Sequence, residues 1–184
     1  MARTKGTVFV ALKSFVTRMY GYDAWKQYLA QLEVSDRRQI EMPSAKEWYD
    51  LGVMLRSLQI LDVVFGKDSG DVVYDFGRHE ADRDLNTLQR VFLRMANPAF
   101  VIEKATEYWR NFCDFGEWRV ERNGKKTATA ILLGVPVTDP VYCRELSGYL
   151  QRLFELVGAK NVHSEHTRCR SRGDAQCEWV GKWE

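Results

Sequence analysis

The hydrophobic pattern of this chain changes once, at about Gly116, and the change limits the folds that the chain can adopt. Before it, apolar residues recur every three or four positions, as at 8, 9, 12, 15, 16 and 19, which is typical of amphipathic helices. After it, two runs of alternating polar and apolar residues flank Asn123-Gly124, a dipeptide that strongly favours a β-hairpin. We therefore predict a helical layer followed by a part that forms a sheet.

Start and stop signals divide the helical part into five segments. Ser44 and Glu47 form a capping-box pattern ahead of a long apolar run, and Gly66 follows that run as a stop. Asp23 is a candidate N-cap and Pro98 a first-turn residue. The predicted helical segments are 6–21, 23–32, 41–66, 85–97 and 98–113.

The last third of the chain contains one more helix and a second hairpin. Asp139 and Pro140 begin the helix, and Gly158 follows its end. Two hairpins separated by a helix are expected to form one four-stranded antiparallel sheet with helices on one face. The prediction is an α+β fold in a single ligand-binding-type domain, with a helical part at 1–97 and an α+β part at 98–184.

Charge and hydropathy exclude several functional classes. Charged residues make up 28% of the chain but the net charge is only +2, whereas nucleic-acid-binding surfaces usually carry a basic excess. No apolar run approaches the roughly 18 to 20 residues that span a bilayer, and the N-terminus lacks the features of a signal peptide. We expect a cytoplasmic protein that contacts neither membrane nor nucleic acid directly. Four cysteines are too few for a disulfide scaffold.

Three of those cysteines and a histidine have a spacing that suits a metal site. Cys143, His166, Cys169 and Cys177 form the pattern C-x22-H-x2-C-x7-C. A helix start and the two arms of the last hairpin can converge on one point, and zinc prefers four thiolate or imidazole ligands in a tetrahedron. The alternative is three unconnected buried thiols. Cys113 stands apart and is interpreted as a core thiol.

Strand geometry raises a difficulty for this site. Side chains alternate along a strand, so residues 166 and 169 point to opposite faces unless a bulge or the turn intervenes. Strict alternation would instead group His163, Glu165 and Cys169, and either Glu165 or His163 could then replace His166. A redox pair is less favoured, because Cys169 and Cys177 do not form a C-x-x-C motif.

From about residue 98 onward, the chain resembles the 4-vinyl reductase-type small-molecule-binding domain. The stretches that carry the resemblance are "EYWRNFCDFGEW", "AILLGVPVTDPVYCRELSGYLQRLFELVGAKNV" and above all "CRSRGDAQCEW". Related sensor domains of aromatic-responsive activators hold zinc with three cysteines and a glutamate. The resemblance implies that Cys143, Cys169 and Cys177 bind a structural zinc, with His166 at the position of the glutamate.

The first 95 or so residues resemble other groups of the same wider fold. "KGTVFVALKSFVTRMYGYDAW" is similar to the opening of haem-nitric-oxide-binding domains and to a family of uncharacterised paralogues described from myxobacteria. With the vesicle-tethering subunits of related fold, these imply helices packed over a four-stranded antiparallel sheet, often in dimers. We expect no haem, because the Tyr-x-Ser-x-Arg motif is absent and no histidine can be placed as its ligand. His79 is interpreted as solvent-exposed.

No catalytic motif is present, so we predict a protein that is not an enzyme. The sequence has no Gly-rich phosphate loop, nucleophile elbow or HExxH helix. Aromatic residues near the helix-to-strand transition could instead enclose an apolar or aromatic ligand, although they could also be plain core. Trp109 and Trp118 are favoured because their indole N–H groups could bind a ligand oxygen. The candidate ligand-binding residues are Phe92, Phe100, Tyr108, Trp109, Phe112 and Trp118.

Two functions follow from these features. The first is a non-catalytic, cytoplasmic signalling sensor that binds a small hydrophobic or aromatic molecule and has a structural zinc, with a homodimer expected. The sensor should contain an apolar cavity of a few hundred Å³, roughly the size of known small-molecule sites. The second is a protein-interaction or dimerisation module without a ligand. Its interface would be the apolar stripe of "LGVMLRSLQILDVVF", unless that helix is the central helix of the domain.

Overall fold

The N-terminal half consists of helices and one short two-stranded sheet. In the computed structural model, which describes residues 1–66, 70–84, 98–137 and 139–184, strand β1 pairs antiparallel with β2 and Arg3 lies opposite Asp50. The elements are β1 (Arg3–Lys5), α1 (Thr7–Tyr20), α2 (Tyr22–Gln31), α3 (Val34–Ile40), β2 (Trp48–Asp50), α4 (Leu51–Phe65), α5 (Val72–Asp84) and α6 (Pro98–Trp109).

The C-terminal part forms the predicted four-stranded antiparallel sheet from two hairpins separated by a helix. Its elements are β3 (Glu117–Gly124), β4 (Thr127–Leu133), α7 (Pro140–Leu156), β5 (His163–Arg168) and β6 (Cys177–Lys182). The order across the sheet is β3-β4-β6-β5, so the two hairpins join through β4 and β6. The predicted α+β fold class is therefore confirmed.

Local signals placed both ends of α7 and the C-terminal end of α4 at Gly66 correctly, but they placed the start of α4 wrongly. The Asp139 side chain accepts a hydrogen bond of 2.9 Å from the backbone N–H of Val141, as expected of an N-cap. The predicted capping box at Ser44 and Glu47 is wrong. Helix α4 begins at Leu51, since Asp50 accepts a hydrogen bond of 2.8 Å from the N–H of Gly52. The residues just before Leu51 pair with β1 instead of extending the helix.

The first hairpin turns two residues later than the sequence predicts. Asn123 and Gly124 lie within β3, where the pairing register shifts between Arg122 and Gly124, and the turn is formed by residues 125 and 126. A register shift of this kind is a β-bulge, and glycine is common at such positions. The prediction of a hairpin here is thus right, although its turn is displaced.

Helices α5 and α7 cross with their backbones in direct contact. A Cβ atom added at Gly77 would lie 2.0 Å from the carbonyl oxygen of Glu145, and one at Gly148 would lie 2.0 Å from that of Tyr74. An ion pair between Arg78 and Glu155, with N–O distances of 3.0 and 2.9 Å, lies beside the crossing. Two glycines therefore let the helices approach closely enough to bring their polar side chains together.

Helix α4 is largely enclosed within the chain. Its apolar residues Leu51, Val53, Met54, Leu58 and Leu61 are buried, which supports the interpretation as a central helix over that of an interface. Among the described residues, no helix is long and apolar enough to cross a membrane. The predicted helix at 85–97, and with it the candidate ligand-binding residue Phe92, lies outside the described residues.

Candidate metal and ligand sites

The four predicted metal ligands meet at one point between α7 and the last hairpin. The ligand atoms of Cys143, His166, Cys169 and Cys177 all lie within 4.8 Å of one another. The Sγ atom of Cys143 is 3.6 Å from that of Cys177 and 3.8 Å from that of Cys169. Tetrahedral thiolate–metal bonds of about 2.3 Å would separate two sulfurs by about 3.8 Å. The spacing of the sulfurs therefore matches a tetrahedral metal centre.

A bulge in β5 allows residues 166 and 169 to face the same point. The register between β5 and β6 shifts between His166 and Arg168, and Cys169 follows the end of the strand. The backbone N–H of Cys169 donates a hydrogen bond of 2.7 Å to Asp174, which holds the turn closed. His163 and Glu165, the alternatives to His166, are exposed and not part of the cluster.

The electrostatics of the cluster favour a thiolate at Cys169 and a neutral imidazole at His166, but a protonated thiol at Cys143. Burial, together with the neighbouring thiols, raises the pKa of Cys143. Burial raises the pKa of Cys169, but hydrogen bonds with Ser171 and with the other thiols lower it by more, so the net shift is downward. Burial lowers the pKa of His166, whose Nε2 atom is buried and has no hydrogen-bond partner in the described part of the chain. A cation at the centre would satisfy these groups together.

A second feature is a cavity of about 170 Å³ between the helices and the sheet. It is smaller than the predicted few hundred Å³. Five of the six candidate ligand-binding residues line it, and the sixth, Phe92, is not described. The five are Phe100, Tyr108, Trp109, Phe112 and Trp118.

The indole groups of the cavity wall are ordered by ring contacts and hydrogen bonds. Trp118 lies between Trp109 and Trp179, with centroid distances of 5.8 and 5.5 Å. The indole N–H of Trp109 donates to the carbonyl oxygen of Phe115 at 2.6 Å, so it is not free for a ligand as the sequence suggested. Trp179 also stacks on His166 at 4.5 Å, so one ring contacts both the cavity and the thiol cluster.

The cavity wall includes acidic side chains that sequence reasoning missed. Glu80 and Asp84 come from α5, and Glu145 comes from α7. Glu80 and Glu145 are 8% and 2% exposed, and the Oε2 atom of each lacks a hydrogen-bond partner among the described residues. The available signal was the i, i+4 spacing of acidic residues on "FGRHEADRD", which we interpreted as a polar segment.

Residue His79 on the same helix is also less exposed than predicted. Its ring lies 5.5 Å from that of Phe15, and its Nε2 atom is buried without a partner in the described ranges. Burial lowers the pKa of this imidazole. The interpretation of His79 as solvent-exposed is therefore wrong, because α5 packs against α1.

Burial raises the pKa values of the acidic side chains. It raises the pKa of Glu145 to about 7 and, despite a hydrogen bond of 3.0 Å from Tyr149, that of Asp84 to about 6. The pKa of Glu80 is raised by burial and by the neighbouring charge of Glu145. The acids at the cavity thus hold their protons more tightly than exposed carboxyl groups do.

Replacing Glu145 with glutamine is expected to change how stability depends on pH. Because the pKa of Glu145 is raised by folding, its stabilising contribution is full below about pH 4.5 and is lost as the pH rises through about 7. Glu145→Gln removes this loss. Relative to the unmodified protein, the variant should gain roughly 3 kcal/mol in free energy of unfolding between pH 4.5 and pH 8. Urea denaturation at both pH values measures the gain.

The control for this prediction is Glu117→Gln, a change of the same kind at an exposed position of β3. Its stability should follow that of the unmodified protein at both pH values. If the free energy of unfolding changes by the same amount between the two pH values in Glu145→Gln and in the unmodified protein, then folding does not raise the pKa of Glu145.

Comparison with known proteins identifies the fold from solved structures, but no sequence comparison identifies a family. No family model matches the chain, and no curated protein matches it. Among solved structures, an H-NOX protein from Shewanella oneidensis in the Fe(II)NO state aligns with a TM-score of 0.76 and 15% identity, over 98% of this chain and 99% of that one. An unliganded Fe(II) H-NOX protein from K. algicida aligns with a TM-score of 0.71 and 14% identity, over 98% and 96%.

These matches correct two predictions. The assignment to the 4-vinyl reductase-type domain is wrong, because the structural neighbours are consistently H-NOX (haem NO/oxygen-binding) domains over almost their full length. The cofactor prediction of a structural zinc and no haem, made from the Cys/His spacing, the missing Tyr-x-Ser-x-Arg motif and that resemblance, is wrong for this fold, since the neighbours are described in Fe(II), Fe(II)NO and Fe(II)CO states. The stretches that carried the resemblance are local, whereas the structural alignment with the H-NOX protein covers 98% of this chain.

Proposed function

We propose that this chain is a non-catalytic sensor domain that binds a small, mainly apolar or aromatic molecule in the cavity between its helices and its sheet. The observation that carries the proposal is a cavity walled by Tyr108, Trp109, Phe112 and Trp118 in a fold whose solved examples are described with small ligands on iron. Phe100 also lies on the wall. Phe92 remains a predicted contact.

The size of the cavity limits the ligand to a small molecule. Its volume of about 170 Å³ is close to that of an engineered apolar cavity of about 150 Å³ that binds benzene. It is below the roughly 300 Å³ at which drug-sized sites begin. A molecule of about one ring with a short substituent fits this space.

The residues present do not fit a haem held by histidine. One neighbour is described by its haem redox potential and porphyrin distortion, so the fold accommodates that group elsewhere. The chain has only three histidines, and none lines the cavity: His79 packs on α1, His163 is exposed and His166 belongs to the thiol cluster.

Cysteine and tyrosine on the wall can also ligate haem iron in proteins, but here burial opposes their ligand forms. Cys113 and Tyr149 would have to bind as thiolate and phenolate. Burial raises the pKa of both groups, which favours their neutral, protonated forms. The absorbance spectrum of the purified protein reports any haem through its Soret band.

Filling the cavity is expected to abolish ligand binding. Ala130 lies on β4 and lines the cavity, so Ala130→Leu places a branched side chain in the space that the ligand would occupy. Toluene titrated into the unmodified protein should change tryptophan fluorescence saturably, because Trp109, Trp118 and Trp179 surround the cavity. The same titration of Ala130→Leu should give at least about tenfold weaker binding.

The matched control is Ala30→Leu, the same change at an exposed position on α2. It should bind toluene like the unmodified protein. Equal binding by Ala130→Leu and Ala30→Leu would place the probe outside the cavity and overturn the proposal.

The thiol cluster is proposed separately as a metal site. Cys143, His166, Cys169 and Cys177 would bind one thiophilic metal ion and tie the β5–β6 hairpin to the start of α7. The convergence of three sulfurs and an imidazole nitrogen within 4.8 Å supports this proposal. A closed set of four protein ligands favours a structural role over a catalytic one. Single-domain organisation, homodimer formation and a cytoplasmic location stay predictions.

A further inference from the structure

The acidic part of the cavity wall is unusual for a site that binds only apolar molecules. Glu80 and Glu145 are almost fully buried, and their carboxyl groups in the cavity wall lie within hydrogen-bond reach of each other, with no other described partner for either Oε2 atom. Tyr108 places a buried hydroxyl beside that of Tyr149 in the same wall. Unsatisfied buried polar groups are costly, so their presence points to a ligand group that satisfies them.

The charges around the cavity favour a cation in particular. Among the described residues of the wall, the basic side chain is Lys104, and its Nζ atom is 2.7 Å from Glu107 on the protein surface. Within the described part of the wall, Glu80 and Glu145 therefore have no basic side chain directed at them. A buried carboxylate is stabilised by a hydrogen-bonded counter-charge, and an ammonium group provides both.

We propose that the cavity binds a small organic amine, with its apolar body against Trp118 and Trp179 and its ammonium group against Glu80 and Glu145. This inference rests on the proposed function, since it assumes that the cavity is the ligand site. It adds the chemical class of the ligand. The pair of carboxyl groups is held in place by the close crossing of α5 and α7 at Gly77 and Gly148.

The ionisable groups around the cavity determine the pH dependence of this binding. Glu145 must be ionised to pair with the amine, so amine affinity should fall by about tenfold or more as the pH is lowered from 8 to 5.5. Asp84 accepts a hydrogen bond from Tyr149 and would add to the negative charge. The ionisable groups on the described part of the cavity wall are Glu80 and Asp84 from α5, Lys104 and Tyr108 from α6, Cys113 after α6, and Tyr142, Glu145 and Tyr149 from α7.

Three probes of nearly the same shape test the inference. Benzylamine, benzyl alcohol and toluene are titrated separately at pH 8, and binding is followed by tryptophan fluorescence and checked by calorimetry. Benzylamine is expected to bind at least about tenfold more tightly than the other two, because a charge-assisted hydrogen bond is roughly twice as strong as a neutral one. In Glu145→Gln and in Glu80→Gln/Glu145→Gln, the ratio of benzylamine affinity to toluene affinity should fall to about one.

The possible outcomes distinguish a failure of the amine inference from a failure of the proposed function on which it rests. If none of the three probes binds the unmodified protein, the cavity is not a ligand site and both fail. If toluene and benzyl alcohol bind as tightly as benzylamine, or if the glutamine variants keep the preference for the amine, only the amine inference fails. Glu117→Gln is the matched control and should behave like the unmodified protein. Thermal melting of each variant identifies any that fail to fold.

Discussion

Replacing Cys177 with serine is expected to remove one equivalent of bound metal and to lower the free energy of unfolding by about 3–5 kcal/mol. Cys177 begins β6, and its sulfur lies 3.6 Å from that of Cys143 at the start of α7. A metal bound here would join elements more than 30 residues apart in sequence, and its binding energy would be part of the folding energy. Elemental analysis and urea denaturation of the purified protein measure the two effects.

Cys113→Ser is the matched control for this prediction. Cys113 is equally buried, but it lies apart from the cluster, with its sulfur 4.0 Å from the hydroxyl of Thr4. Its replacement should cost about 1 kcal/mol and leave the metal content unchanged. Unmodified protein that holds no metal, or two variants that lose stability equally, would show that the thiols are structural residues without a shared ion.

Replacing Gly77 with alanine is expected to destabilise the protein by about 3 kcal/mol, the upper part of the range usual for overpacking. The new Cβ atom would lie 2.0 Å from the backbone carbonyl oxygen of Glu145, so α5 and α7 would have to move apart. The separation would also disturb the pair formed by Glu80 and Glu145. Chemical denaturation measures the loss, and weaker binding of benzylamine should accompany it.

Gly124→Ala is the matched control for Gly77→Ala. No atom lies within 4 Å of a Cβ built at Gly124, so this variant should differ from the unmodified protein by no more than about 0.5 kcal/mol. A similar loss of stability in both variants would mean that the close approach of the helices is not what makes Gly77 necessary.

The parts of the fold that the sequence predicted are those with local causes. The change of period at Gly116 separated helices from sheet, and Asp139 marked the start of α7. Ser44 and Glu47 carried an equally clear cap signal, yet the segment before Leu51 is used for pairing with β1, a contact between residues about 45 positions apart. A capping pattern cannot report such a competing long-range interaction.

The sequence identified the residues of the candidate metal site, but it did not identify the acidic residues of the cavity. Cysteine and histidine are uncommon in this chain, so the spacing of Cys143, His166, Cys169 and Cys177 identified residues that the fold brings together. Glu80 and Glu145 are two of many acidic residues, and their meeting depends on the crossing of α5 and α7. The resemblance from residue 98 onward misled the family assignment, because matching stretches in one part of a chain do not determine the arrangement of the rest.

The most direct test of the central claim, that the cavity binds a small molecule, is a crystal structure of the protein soaked with toluene. We expect density for one toluene molecule in contact with Trp118 and Trp179, and none at that position in Ala130→Leu crystals soaked in the same way. Density for toluene only on the protein surface, at a concentration that saturates the fluorescence change, would contradict that claim.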